Sequence, residues 1–213
     1  MGLMIDSILP TYFEAERTQQ SEIWGKRLQF KEGDFIKIVA PSGSGKTSLM
    51  HFLYGMRHDY EGTIQINNKV LRNLPPEEMA LFRKNYISIV FQDLRLFHEQ
   101  TVFQNIDIKR QLDPFHPAEK IEEMAAQLGI YRKLDSVCRT CSYGEQQRIA
   151  IIRAMMQPFN FLLLDEPFSH LDDVNSEKAM ALMISEANQR KAAIIFADLE
   201  RVDFFPFQQL LHL

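Results

Sequence analysis

Apolar positions recur along this chain in two rhythms, the short runs of β-strands and the three-to-four spacing of amphipathic helices, and the two alternate. Phe35–Ala40 (FIKIVA) is a β-branched run followed by a Gly/Ser turn and then a helix-periodic stretch, Thr47–Tyr54, giving strand, loop and helix in order. Before it, Leu28–Lys31 with Gly33 and Asp34 reads as an antiparallel strand and its turn, and Gly62–Ile66 with Asn67 and Asn68 as another. A helix is predicted from Pro75 to Arg83, where Glu77 and Glu78 suit the positive N-terminal end. Tyr86–Phe91 (YISIVF) reads as a second central strand. Residues 93–140 turn helical and less regular, with a break at Pro114 and Pro117 and a strong helix over Ala118–Leu128; Glu145–Met156 is another helix. Phe161–Leu164 is wholly apolar, as suits a strand buried on both faces of a parallel sheet. Asn175–Arg190 is an amphipathic helix, and Ala192–Phe196 and Gln209–Leu213 are the closing strands. This alternation predicts one α/β domain, 1–213, with a mostly parallel sheet, a small antiparallel β part and an inserted helical subdomain over about 93–157.

Composition narrows the class without changing it. At 46% hydrophobic and 24% charged, the 213 residues describe an ordinary globular chain rather than a disordered, coiled-coil or collagen-like one. A net charge of −4 argues against nucleic acid as a partner, because phosphate backbones reward a basic surface, yet it is compatible with a local site for one nucleotide. No run of about 18 apolar residues exists, so no direct membrane insertion is expected. The apolar start, Met1–Pro10, is short and lacks a basic lead and a clear cleavage site; it is not read as a secretory signal, and a cytoplasmic protein is expected. Cys138 and Cys141 have the C-x-x-C spacing of a redox pair or half a zinc site. No second pair completes four ligands, and they are read as ordinary thiols in a reducing compartment.

Residues 40–47 read A-P-S-G-S-G-K-T, the P-loop pattern with Ala40 where the first glycine usually stands. Gly43 and Gly45 let the backbone curl so that successive N–H groups face phosphate oxygens, and the following helix adds its positive end. Lys46 then reaches the outer phosphates, and the Thr47 hydroxyl can ligate Mg²⁺. A bare Gly/Ser turn with an exposed lysine is the competing reading; the strand–loop–helix setting favours the nucleotide. At Ala40, alanine costs about 1–2 kcal/mol if the position needs a positive φ and nothing if it needs only a small residue.

Phe161–Glu166 (FLLLDE) is a buried strand delivering two acids at its carboxyl end, where an α/β sheet places its ligand. Asp165 is expected to hold Mg²⁺, through water, and Glu166 to act as general base toward the attacking water. A solvated acidic turn is the alternative, and the P-loop's need for a Mg²⁺ partner counts against it.

Residues 141–148, C-S-Y-G-E-Q-Q-R, lie before a helix and upstream of that acidic pair, and they resemble the signature of the ABC ATPases, L-S-G-G-Q followed by Q-Q-R. Ser142, Gly144, Gln146, Gln147 and Arg148 match; Cys141, Tyr143 and Glu145 depart. Gln92 stands where the family has its Q-loop glutamine, and Ser169-His170-Leu171-Asp172 matches the D-loop. The resemblance runs from about Tyr12 to the final strand. The stretches VFQDLRLF and TVFQNI look most like ATPases of lipoprotein-release, macrolide-export and cell-division complexes.

The resemblance implies a P-loop NTPase core of ABC ATPase type that binds and hydrolyses ATP with Mg²⁺. It implies a nucleotide site of Tyr12, Ala40, Pro41, Ser42, Gly43, Ser44, Gly45, Lys46, Thr47, Ser48 and Gln92. Lys46 and Glu166 are the catalytic residues, and Thr47, Gln92 and Asp165 the metal site. It implies a homodimer or heterodimer closing head to tail, in which Ser142, Tyr143, Gly144 and Glu145 act across the interface, with Ser169, Leu171 and Asp172 forming the D-loop. Separate integral membrane permease subunits are the implied partners, with the chain peripheral at the inner face of the cell membrane. Two other readings stay open: a regulatory cassette with weak hydrolysis, and a non-transport role in cell division or the envelope.

The chain also departs from the family. A histidine usually follows the strand after the D-loop; here Ala197 stands there, and none of His51, His58, His98, His116, His170 and His212 fills the place. Tyr12, Phe13 and Trp24 compete to stack on adenine, with Tyr12 favoured. The chain reads as ending at its last strand, without an appended regulatory domain.

Overall fold

The computed structural model describes residues 2–199 and 205–213; Met1, where the apolar N-terminal stretch begins, lies outside them. Two sheets divide the strands. The antiparallel sheet has the order β2-β1-β4-β5, formed by β1 (Gly2–Pro10), β2 (Arg27–Lys31), β4 (Tyr60–Ile66) and β5 (Lys69–Val70). Its inner strand β1, with Ile5 opposite both Leu28 and Ile64, was not expected as a strand from the sequence. Leu3 and Ile5 are buried at alternate positions, but a bulge between Asp6 and Leu9 shifts the register and blurs the period-two signal.

The second sheet is parallel throughout, with the order β6-β7-β8-β3-β9. Its strands are β3 (Phe35–Val39), β6 (Ile87–Val90), β7 (Phe161–Asp165), β8 (Ala193–Asp198) and β9 (Gln209–His212). Parallel pairing demands crossovers, and they are α1 (Lys46–Leu53) and α2 (Pro76–Asn85) between β3 and β6, and α6 (Asp173–Arg190) between β7 and β8. Between β6 and β7 come α3 (Val102–Leu112), α4 (Glu119–Gln127) and α5 (Tyr143–Met155), which pack on one another. β7 is buried along its whole length: Leu162 and Leu164 join the apolar cluster of α3–α6, while Phe161 and Leu163 join that of α1, α2 and the antiparallel sheet.

Two helices start where their caps dictate. Thr101 caps α3 through a capping box with Gln104, and Ser142 caps α5 through one with Glu145. Helix α5 therefore begins at Tyr143, two residues before the predicted Glu145, and Tyr143 and Gly144 lie in its first turn.

Candidate functional site

The loop from β3 to α1 is curled by two left-handed glycines, Gly43 (φ 78°) and Gly45 (φ 100°). A side chain at Gly45 would also meet Trp24 at 3.0 Å and Phe13 at 3.1 Å, so space and conformation both demand glycine. Ala40 is not among the left-handed residues; it is buried, and its N–H donates to the Asp198 carbonyl at 3.2 Å. Only smallness is required there, and alanine carries no strain. Lys46 is buried; its Nζ donates to the carbonyls of Ala40 (2.8 Å) and Pro41 (3.2 Å) and lies 3.3 Å from Glu166 Oε1. The Ser44 hydroxyl is buried within the same loop without a hydrogen-bond partner.

Register places the acids. Asp165 ends β7 opposite Ala197 of β8, and the Ala197 carbonyl accepts the Glu166 N–H at 2.9 Å. Glu166 itself is left-handed (φ 49°), its carbonyl bonded by Gln147 Nε2 at 3.3 Å. Both carboxylate oxygens of Asp165 are buried without a hydrogen-bond partner. Burial pushes its pKa up to about 6; the nearby Thr47 hydroxyl, outside good hydrogen-bond geometry, and the Lys46 charge draw it down, while Glu166 and Asp93 push it further up.

Gln92, just beyond β6, closes the ring: its Oε1 accepts from the Thr47 hydroxyl at 3.2 Å and its Nε2 donates to Glu166 Oε2 at 3.2 Å. The Thr47 hydroxyl, the Gln92 amide oxygen and the orphaned Asp165 carboxylate are hard oxygen donors, a set that fits Mg²⁺. A cleft of about 280 Å³ is lined by Ser42, Gly43, Gly45, Lys46, Thr47, Ser48, Gln92 and Glu166, with Tyr12 and Phe13 at its side. Tyr12 is exposed and its hydroxyl lies 2.5 Å from Ser48 Oγ, whereas Trp24 is buried with its Nε1 on the Ser44 carbonyl at 3.2 Å. Of the three competing aromatics, Tyr12 has an accessible ring and Trp24 buttresses the loop from behind. Pro41 is exposed at the loop's start.

The signature residues stand at the start of α5. Ser142 and Glu145 bond each other's backbone N–H (3.3 and 2.8 Å), Glu145 lies 3.4 Å from Lys133, and Tyr143 is exposed. A Cβ on Gly144 would meet the His170 carbonyl at 2.9 Å, and the Tyr143 and His170 rings are 4.1 Å apart, so signature and D-loop are packed edge to edge. In the D-loop, the Ser169 N–H reaches the Glu166 carbonyl at 3.4 Å, the Leu171 N–H bonds the Phe168 carbonyl at 3.0 Å, and Asp172 caps α6. The structure brings the P-loop, Gln92 and Glu166 into one cleft, with Asp165 buried at the end of β7 beside Glu166; the signature is joined to them through Gln147, which also accepts the His170 N–H at 3.1 Å.

Two contributors were not read from the sequence as site residues. Arg57 donates to Ser48 Oγ at 3.3 Å and has its guanidinium carbon 5.4 Å from the Tyr12 ring centroid. Gln147 matched the signature but gave no sign of gripping Glu166. Among the histidines, His116 is buried on Glu186 at 2.7 Å, and His212 pairs Glu22 at 2.9 Å. Cys138 and Cys141 are free and buried, and burial pushes the Cys138 thiol up to about 11, as inert thiols require.

A parallel sheet with a glycine-curled loop at the carboxyl end of one strand and an Asp-Glu pair at that of another defines a P-loop nucleotide-binding protein. The profile of the ABC transporter family matches residues 25–169, and the chain belongs to that family as an ATP-binding domain. The thiamine import ATP-binding protein ThiQ of Vibrio cholerae is 31% identical over 176 residues, 79% of this chain and 69% of that protein. The macrolide export ATP-binding/permease protein MacB of Bdellovibrio bacteriovorus is 29% identical over 180 residues, 84% of this chain and 27% of that protein. The chain spans from 27% to 66% of the length of the first curated relatives it matches. The ATP-binding cassette MJ0796, solved as a dimer in a post-hydrolysis state bound to ADP and Pi, shares the fold: the TM-score is 0.84 at 24% identity, covering 99% of this chain and 94% of that one.

Proposed function

We propose that this chain binds and hydrolyses Mg²⁺-ATP as the nucleotide-binding subunit of an ABC transporter, and couples that reaction to separate integral membrane permease subunits. The observation that carries the reading is the series of contacts Lys46–Glu166–Gln92–Thr47 next to the unpartnered Asp165 carboxylate. In this reading the P-loop from Ala40 to Ser48 takes the phosphates, with Lys46 turning from Glu166 to the outer ones, and adenine lies on the Tyr12 ring. Glu166 accepts a proton from the attacking water as its oxygen bonds the γ-phosphorus and ADP leaves. Thr47, Asp165 and Gln92 would hold Mg²⁺, which neutralises charge on the β- and γ-phosphates when bound.

The exposed Ser142–Glu145 turn suits contact with ATP held by a second subunit, in a homodimer or heterodimer closing head to tail, and the Ser169–Asp172 loop would line that interface. The helices between about 93 and 157 form the inserted subdomain that carries the signature. The chain sits peripherally at the inner face of the cell membrane in this reading, held by the permeases; no helix among the described residues is long and apolar enough to cross a membrane. Relatives named for import and for export support the transporter role without choosing a direction. Phosphate release by the purified chain with Mg²⁺-ATP, absent in Lys46→Ala, tests the enzyme. Co-purification of an integral membrane protein tests the partner, and a purified wild type that releases no phosphate would overturn the hydrolase reading.

A further inference from the structure

Two consecutive residues of the segment after Gln92, Leu94 (φ 55°) and Arg95 (φ 49°), are left-handed, a conformation sterically disfavoured for any residue with a Cβ. Within the segment, the Leu94 N–H bonds the Phe91 carbonyl at 3.1 Å and the Arg95 N–H bonds the Asp93 carbonyl at 2.6 Å. Both carbonyls of the turn accept from one guanidinium. Arg153, in the last turn of α5, donates Nη2 to the Leu94 carbonyl at 2.5 Å and Nη1 to that of Arg95 at 2.7 Å. Arg153 is buried, and among the described residues it has no ion-pair partner. A buried guanidinium without a carboxylate is costly, so filling space alone would favour an apolar side chain here; what this fork supplies is two fixed donors. Towards its other end, α5 holds the Glu166 carbonyl through Gln147 at 3.3 Å. One helix therefore fixes both the backbone of Glu166 and the turn that follows Gln92.

We propose that Arg153 is a positioning residue of the ATP site: by clamping the Leu94–Arg95 carbonyls it holds the turn left-handed and sets Gln92 between Thr47 and Glu166. It never meets substrate, and it acts through Gln92. The consequence for chemistry rests on the Mg²⁺-ATPase reading; the clamp itself is testable without nucleotide.

Arg153→Lys keeps the charge and removes the fork. In nucleotide-free protein, hydrogen exchange of the amides of residues 93–96 is expected to accelerate about tenfold or more, as a local opening does, with β4 unchanged. In ATP turnover, the Mg²⁺ concentration for half-maximal rate is expected to rise about tenfold, the scale of losing a group that orients a metal ligand. In a Gln92→Ala background the same substitution is expected to change that concentration less than about twofold, because the group it acts through is gone. Unchanged exchange, or the same factor in both backgrounds, overturns the proposal. If Arg153→Lys does not fold, Arg95→Pro breaks the same turn from its outer side, since proline fixes φ near −65° and carries no amide of its own; exchange at residues 93, 94 and 96 and the Mg²⁺ concentration must then shift in the same way, and failing to do so overturns the proposal equally. A wild type with no turnover counts against the ATPase reading, while the exchange result still decides the clamp.

Discussion

Replacing Glu166 with Gln separates two effects that the geometry places on one side chain. Its Oε1 lies 3.3 Å from Lys46 Nζ and its Oε2 accepts from Gln92 Nε2 at 3.2 Å. An amide replaces one of the two carboxylate oxygens by an NH₂ donor, so Gln92 and Lys46, which now meet different oxygens, cannot both keep their present contacts. Lys46 retains the Ala40 and Pro41 carbonyls, at 2.8 and 3.2 Å, so the oxygen goes to Gln92 and the lysine is released from its ion pair. Removing one partner of a buried pair costs about 3–5 kcal/mol when nothing replaces it. With two carbonyls in place, about 1–2 kcal/mol is left for Lys46 to recover on meeting phosphate. The Glu166→Gln variant should therefore bind a non-hydrolysable ATP analogue with Mg²⁺ about 5–30 times more tightly than wild type, the removal of a negative charge beside the triphosphate acting in the same direction. Without the base, the single-turnover rate should fall about 10²–10⁴-fold. The backbone is not a confounder, because Gln at φ 49° bears the same left-handed strain as Glu. Calorimetry with the analogue and rapid-quench hydrolysis measure the two halves. Weaker analogue binding by the variant would refute the competition for Lys46, and wild-type hydrolysis would move the base elsewhere.

Lys46→Ala removes a charge-assisted phosphate contact worth about 1.5–3 kcal/mol, and equal Mg²⁺-ATP affinity in calorimetry would remove the P-loop assignment. Lys37, fully buried in β3, has its pKa lowered from 10.5 to about 8 by burial, against the pull of Asp198. Between those values the unfolded chain binds more protons than the folded one, so stability rises with pH across that window. Lys37→Met should abolish that rise and raise stability at pH 7 by up to about 3 kcal/mol; parallel urea-unfolding curves from pH 7 to 10 in both proteins would contradict this. Ala197 is fully buried, so Ala197→His should lower stability by about 1–3 kcal/mol through overpacking. It should raise the single-turnover rate by less than the roughly 10²–10³ of a preorganised donor; an unchanged rate in folded variant would mean that the absent imidazole does not limit the chemistry.

The parallel sheet was legible because its central strands are short and apolar, with β3, β6 and β8 rich in Ile or Val, and because two of them lead into sequences with fixed chemistry, GSGK and DE. What escaped reading had a physical reason each time. Strand β1 carries a bulge that breaks its alternation, and α3 was merged into an irregular stretch because its start is marked by the Thr101–Gln104 box rather than by a long apolar stripe. The site's residue types were visible, but their contacts were not. That Gln92 bonds Glu166 follows from β6 and β7 being neighbours, a pairing between strands about 70 residues apart that no local pattern encodes, and Thr47 reaches the same glutamine from α1, which follows β3 two strands further along the sheet. Burial separates the three aromatics in a way the sequence could not show: Trp24 and Phe13 lie against Gly45, and Tyr12 is left at the surface.

Backbone strain marks the same site independently. Among the described residues, the non-glycine left-handed positions are Ser7, Asn67, Asn68, Leu94, Arg95, Glu166 and Lys191. Four have local causes: Ser7 sits in the bulge of β1, Asn67 and Asn68 form the two-residue hairpin between β4 and β5, and Lys191 terminates α6. Leu94, Arg95 and Glu166 belong to no such hairpin, bulge or helix end; local hydrogen bonds close the turn at Leu94 and Arg95, but these residue types do not favour the left-handed region. Each is also held by a side chain distant in sequence, Arg153 on the first two and Gln147 on the third, and both holders belong to α5. Unrelieved strain of this kind persists only where surrounding structure over-determines it. Here the over-determination comes from the helix whose capped N-terminus is the signature turn. A displacement of α5 would therefore disturb Gln92 and Glu166 together, while the glycine-curled P-loop, which carries its own conformational permission, would keep its shape.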